Sequence, residues 1–292
     1  EQAVRRTEDL AESLALRKDQ GVSLFDDFNV PAGRSVRYLV EAPADLDKLR
    51  HILVAPRGEA LERLRDQARQ AREFCDLHGL LQFAYLSGVG DPLVWMSGVE
   101  NVLAMAMERK DFFRDYVRFV AGWNRACLEL ALDMGAEHIV RRGWYESADF
   151  WSPALYREFL LPPLKEEVAL AHQAGATYTY VMASGAGPLL EMVREARVDA
   201  LSNLDPDNAN TDIPRAKREI GANVTLCGGI NNYHVLYSGT EAQARDAVRW
   251  AYETLGPGGG CILAPADALL DTGPTLRRNF KVMIETWKDI AW

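Results

Sequence analysis

Apolar residues recur along this chain with two alternating periods. Runs of four to eight apolar residues end in glycine or polar clusters, and each is followed by a longer stretch whose apolar positions repeat every three to four residues. The short runs are predicted strands at 80–90 (LLQFAYLSGVG), 137–145 (EHIVRRGWY), 176–185 (ATYTYVMASG), 198–206 (VDALSNLDP), 223–231 (NVTLCGGIN) and 259–269 (GGCILAPADAL). Predicted helices fill 98–134, 153–174, 186–196, 212–220, 240–255 and 275–290. Upstream, residues 1–20 read as an amphipathic helix, 21–40 as two short apolar runs split by Pro-Ala-Gly, and the stretch after Pro56 as a helix closed by Gly79.

Six strand-helix repeats in order imply a parallel sheet whose strands are buried on both faces. Their even spacing favours a closed (β/α)8 TIM-type barrel over an open doubly wound sheet, and no GxGxxG follows an early strand. A seventh strand is expected at 22–28 (VSLFDDF), and the barrel is distorted or incomplete at its N-terminal end. No Gly-, Pro- or Ser-rich linker divides the sequence. Residues 1–292 therefore read as one domain, with a helical and extended segment at 1–79 and clear repeats at 80–292.

Composition narrows the class of function. The net charge is −9, with no basic-aromatic patch, which argues against a nucleic-acid partner. No apolar stretch reaches the roughly 18 residues of a membrane span. Cys75, Cys127, Cys227 and Cys261 lie far apart without a CxxC pair, so a disulfide framework is not expected and a reducing cytoplasm is. The chain begins at Glu1, which leaves room for residues before it.

In a barrel of this kind, catalytic groups stand at the C-terminal ends of strands. That rule nominates Ser87 and Asp91; Trp144, Tyr145 and Glu146; Met182 and Ser184; Asn203 and Asp205; Cys227, Asn231 and Asn232; and Asp267. Glu146 follows two aromatics, whose desolvation would raise its pKa and suit it to acid-base work; the alternative is pairing with nearby Arg141 or Arg142. Cys227, before two glycines, is a soft metal ligand or a small buried apolar side chain. Asp267 is a base, a ligand or a helix cap. Trp144, Tyr145, Met182, Ser184, Asn203 and Asn231 are the substrate-binding candidates. Of the seven tryptophans, only Trp95 and Trp144 fall near predicted strand exits.

Several segments resemble the uroporphyrinogen decarboxylase superfamily: GVGDPLVWMSGVENVLAMAMERKDFFRDYV, SPALYREFLLPPLKEEVALAHQAG, GPLLEMVREARVDALSNLDP, and the stretch from IGANVTLCGGINN to ILAPADAL. Together they cover most of residues 80–290. The resemblance implies a barrel enzyme of one of two branches. One removes carboxylates from a tetrapyrrole without a cofactor. The other moves methyl groups between a small substrate and a cobalamin (corrinoid) held by a partner protein. The decarboxylase hallmarks differ here, where the second strand exit reads RRGWYES and the last APADAL. The zinc methyltransferases' His-x-Cys-Gly is replaced by Met182-Ala183-Ser184-Gly185.

The leading expectation is corrinoid-dependent methyl transfer from a donor such as an aromatic methyl ether or a methylamine. Catalysis falls to Glu146 and Asp267. Zinc, if bound, falls to Cys227 with Glu146. Decarboxylation, with Arg34, Arg37, Arg141 or Arg142 holding the acid, is the alternative, and a non-catalytic barrel is the second alternative. A homodimer is also expected.

Overall fold

The structure is a computed structural model that describes residues 37–182, 184–269 and 273–291. Helix α1 (Glu59–His78) leads into β1 (Phe83–Ser87). Its predicted stop holds: Gly79 adopts φ +64°, the left-handed cap that glycine tolerates best. Helices α2 (Gly90–Ser97), α3 (Val99–Glu108) and α4 (Lys110–Asp133) connect to β2 (His138–Arg142). Then follow α5 (Leu161–Gln173), β3 (Thr177–Val181), α6 (Leu190–Ala196), β4 (Ala200–Leu204), α7 (Ile213–Ile220), β5 (Thr225–Ile230), α8 (Glu241–Leu255), β6 (Cys261–Pro265) and α9 (Pro274–Ala291).

All six strands are parallel and pair in sequence order, β1 to β6. An open doubly wound sheet would reverse its order at a switch point, and this one does not. One face is covered by the helices: Ile139, Arg141, Tyr178, Tyr180, Leu201 and Leu226 are all completely buried there. The other face carries Phe83, Tyr85, His138, Arg142, Thr179, Cys227 and Ile262, which are half-buried or exposed. Sequential order with helices on one face is the (β/α)-barrel arrangement, and the second face is its inner surface. Among the described residues the sheet is not closed, since β1 and β6 do not pair with each other. The expected strand at 22–28 and the expected helix at 1–20 lie outside the described residues.

Three local readings change. The strand expected over 80–90 stops at Ser87, because α2 starts at Gly90. The helices expected over 98–134 are α3 and α4, which meet at Arg109, where a φ of −132° interrupts the helical backbone. The helix expected over 153–174 contains a π turn at Tyr156–Leu160. Pro162 and Pro163, which cannot donate backbone hydrogen bonds, follow it after Leu161. A second π turn, Asn232–Tyr237, forms where no helix was expected. Asn279, fully buried on α9, donates its amide to the carbonyls of Val235, Leu236 and Gly239 and so satisfies the end of that turn.

Behind β2 the helix-covered side holds a buried charge network. Arg141, with no solvent exposure, donates from Nε to Glu167 Oε2 at 2.8 Å and contacts Glu146 Oε2 through Nη1. Tyr180 donates to the same Glu146 oxygen at 2.6 Å, and Tyr178 donates to Glu167 at 2.7 Å. Burial pushes both tyrosine hydroxyls up, which keeps them protonated as donors. Gly90 N donates to Glu146 Oε1 at 2.7 Å. Gly88 and Gly90 lie so close that a Cβ on either would collide with the Glu146 side chain.

Removing one member of such a network leaves a buried charge without its counter-charge, at a cost of about 3–5 kcal/mol. Glu146→Ala is expected to lower the unfolding free energy from urea titration by an amount of that order, with a lower midpoint, and Glu146→Gln by less. A midpoint equal to that of the unmodified chain would remove the network from its place in the fold.

Candidate active site at the strand ends

The C-terminal ends of the strands carry two groups of polar side chains. The first stands on β1 and β2. Asp91, in the first turn of α2, is only 3% exposed, yet neither of its carboxylate oxygens has a hydrogen bond of good geometry among the described residues. Its nearest cation is Arg142, the last residue of β2, with Nε at 3.5 Å from Oδ2. Burial, and then the negative charge of Glu146, push the Asp91 carboxyl up to about 6, and Arg142 offsets only part of that. The Arg142 guanidinium lies 4.2 Å from the centre of the Trp144 ring, a cation–π contact that fixes its direction. Tyr85, 55% exposed on the inner face of β1, feels the charges of Arg142, Asp91 and Asp267, which places it between the two groups.

The second group stands on β4, β5 and β6. Asn231 donates from Nδ2 to both oxygens of Asp205, at 3.0 and 3.1 Å, and accepts from His234 N, which starts the π turn. Asn232 binds the last loop from both ends of its amide, accepting from Asp267 N and donating to the Asp267 and Ala268 carbonyls. Asp267 Oδ1 accepts from Ala268 N at 2.7 Å. Desolvation and the neighbouring Asp205 charge push the Asp267 carboxyl up, against the Ala268 amide and Arg142.

The structure redistributes the other nominated residues. Glu146 takes its Arg-paired alternative: it is fully buried and its oxygens are occupied by Arg141, Tyr180 and Gly90. It positions the loop after β2 and has no open face toward the mouth. Met182 is completely buried in the main core and lines no open surface. Ser184 sits 3.3 Å from Ser147 Oγ, beside Asp149. Burial would raise the Asp149 carboxyl, but Asn210, Ser184 and Asn208 outweigh it and hold the group below the usual carboxylate range. Asn203 has φ +71° at an irregularity in the β4–β5 register, a left-handed conformation that asparagine tolerates, and its Oδ1 accepts from Ser202. Tyr145 lines a separate cavity beside the mouth.

The metal expected on Cys227 and Glu146 does not fit this geometry. Cys227 is on the inner face of β5, where burial raises its thiol pKa and Ser202 hydrogen-bonds it, while Glu146 belongs to the network on the helix side. Among the described residues no three His, Cys, Asp or Glu side chains are placed to share a metal ion. Asp91 had been picked out only by its strand-exit position. Nothing in the sequence reveals that its carboxylate is both buried and short of well-formed hydrogen bonds.

No curated protein sequence matches this chain. The fold is similar to that of a methyltransferase from Methanosarcina mazei, with a TM-score of 0.60 at 15% identity, covering 86% of this chain. This chain spans 64% of that protein's length. A D-psicose 3-epimerase (12% identity, TM-score 0.42, 75% of this chain and 74% of the other) and a 3-keto-D-glucoside 4-epimerase from E. coli (10% identity, TM-score 0.43, 86% and 97%) are more distant. The sequence profile described as uroporphyrinogen decarboxylase (URO-D) matches residues 93–289, about two thirds of the chain. The chain belongs to the uroporphyrinogen decarboxylase (URO-D) family.

Proposed function

We propose that this chain is a methyltransferase that binds a small methylated donor at the strand-end mouth and passes its methyl group to a corrinoid carried by a partner protein. The observation that carries this reading is Asp91: a buried carboxyl beside Arg142 and the Trp144 backbone amide, without a hydrogen bond of good geometry among the described residues, and pushed up to about 6. An acid whose pKa lies near the working pH is suited to proton transfer. The corrinoid supplies the nucleophile that accepts the methyl group. The chain's own residues hold the donor and manage its leaving atom. With a methyl ether donor, the carbon–oxygen bond breaks with its electron pair left on oxygen, and Asp91 supplies the proton to that oxygen. Arg142, held by Trp144, stabilises the Asp91 carboxylate left behind. The mouth is accessible to a second protein, since Tyr85 and Asp267 are exposed.

A second reading has its own observation. Among the described strand-end residues Arg142 brings a guanidinium to the mouth, while Arg141 is sealed behind the sheet and the candidate Arg34 lies outside the described residues. Arg142 would hold a substrate carboxylate in a decarboxylase. Carbon dioxide release from a carboxylic acid without corrinoid would favour it. The Asp91–Arg142 pair also counts against a barrel without catalysis.

Incubation with a corrinoid protein and a panel of methyl ethers and methylamines tests the leading reading. Methylated corrinoid is the expected product, and its absence across the panel would overturn methyl transfer. Asp91→Asn is expected to lower the turnover of an ether donor by about 10²–10⁴-fold. Because the acid must be protonated, activity of the unmodified chain should fall as pH rises through about 6. That limb should vanish in the variant.

The same shift sets a stability signature. A carboxyl raised from 3.8 to about 6 binds its proton more tightly in the folded state. Its contribution is complete below pH ~4 and is lost as pH rises through ~6, amounting to about 3 kcal/mol. Asp91→Asn should therefore raise the urea midpoint at pH 7.5 and leave it nearly unchanged at pH 4. Equal effects at both pH values would show that Asp91 is not held in this environment.

A further inference from the structure

Beside the mouth, α2 and the loop after β2 enclose a cavity of about 460 Å³ that neither acidic group lines. Four aromatic rings line it: Tyr38, Trp95, Tyr145 and Phe150. Trp95 and Tyr145 meet edge to face, with centres 6.3 Å apart and planes at 86°. Tyr145 and Phe150 do the same at 5.4 Å and 63°. Perpendicular rings build a corner and not a stack, and a corner presents ring faces in more than one direction. Trp95 is 49% exposed, a large apolar surface left open at the cavity.

The walls are fixed in place. Trp151 Nε1 donates to the Tyr145 carbonyl at 2.6 Å, which sets that ring between Trp95 and Phe150. The segment carrying Tyr38 is tied to the end of α2: Leu39 N and Val40 N both donate to Met96 O, and Ser97 Oγ donates to Val40 O. Gly98, at φ +79°, makes room for the Tyr38 ring, because a Cβ there would overlap it. Such preorganisation lowers the ordering cost of binding.

The charge of the lining has one sign. Among the described residues no Lys, Arg or His lines the cavity. Glu100 lines it, and among the described residues its carboxylate makes no hydrogen bond or ion pair. Asn101 donates its amide nitrogen to Ser97 O, which leaves its oxygen available to a ligand. Ring faces are negative and attract a cation within about 6 Å of their centres. A small, strongly hydrated cation would have to shed its water to use those faces. A methylated ammonium holds water weakly and offers apolar methyl groups to the same rings. The volume also lies in the range of small-molecule sites.

We propose that this cavity binds an organic cation of the quaternary ammonium class, with Trp95, Tyr145, Phe150 and Tyr38 around its methyl groups and Glu100 as counter-charge. The assignment stands on the cavity alone and does not require methyl transfer.

Calorimetric titration of the full chain with choline, and with its neutral isostere 3,3-dimethylbutan-1-ol, tests it. Choline should bind saturably, and the alcohol at least about tenfold more weakly, as the loss of a desolvated cation–π attraction predicts. Trp95→Leu should weaken choline binding by about tenfold or more. Glu100→Gln, at an exposed position, should weaken it severalfold without changing the thermal midpoint. Equal affinity for the two ligands, absence of saturable choline binding, or choline binding unchanged in both variants would overturn the proposal. The comparison of the two ligands on the unmodified chain decides even if Trp95→Leu does not fold.

Discussion

The arrangement of the strand ends depends on one buried cation. Arg141 emerges from β2 on the helix side with no solvent exposure, and a guanidinium cannot be neutralised there by losing its proton. It must be matched by charge, and Glu146 and Glu167 match it. Glu167 reaches it from α5, which locks that helix onto the sheet. Glu146 reaches it from the loop after β2, folded back by a Glu146 N to Gly143 O hydrogen bond. The same carboxylate accepts from Gly90 and so draws the start of α2 toward that loop. Asp91 follows Gly90 and Arg142 follows Arg141, so the mouth pair inherits its geometry from the network behind it.

Two carboxylates close in space thus divide the work by how many donors they have. Glu146 accepts from an arginine, a tyrosine and a backbone amide, so both of its buried oxygens have donors. Asp91 has lost water almost as completely, and Arg142, the Trp144 backbone amide and the more remote Arg141 return only part of what burial takes away. Its charged form is disfavoured further by Glu146 itself. The fixed charge of one group is therefore part of what makes the other a weak acid near neutrality. The pairing of a satisfied carboxylate with an unsatisfied one is the usual way that environment, and not residue type, assigns roles.

The repeat pattern made the barrel legible because it is a local property: each apolar run and each helical period can be read within about 20 residues. The strand exits followed from the same pattern, and Asp91, Asp267 and Asn231 all stand where that rule put them. Which exit residue faces the mouth was not legible. Glu146 and Asp91 are both acidic residues at strand exits, and their difference comes from Arg141, Tyr180 and Gly90, contributed by three separate segments. Gly88 and Gly90 read as the glycine end of a strand, while what crowds them is the Arg142 carbonyl and the Glu146 side chain, more than fifty residues away. The π turns were invisible because a helical period does not distinguish them from the turns beside them. Trp95 and Tyr145 stood out as aromatics near strand exits, but the cavity needs Phe150 and Tyr38 as well, which no periodicity connects to them.

The loop after β3 shows why the site lies where it does. In the zinc methyltransferases that the sequence resembles, this strand exit bears a His-x-Cys pair, and here it bears Met182 and Ser184. Met182 has gone into the core, and Ser184 has joined the Ser147, Asp149 and Asn208 contacts that tie two neighbouring loops together. A segment committed to packing and loop–loop hydrogen bonding presents no soft donor to a ligand. Among the described residues, Asp91, Arg142 and Asp267 stand at the ends of the first two strands and the last, around Tyr85. On the proposed reading, activation of the donor has passed from a metal to a proton on that side of the barrel. The reorganisation of Met182 and Ser184 is then the structural counterpart of the buried, under-satisfied Asp91.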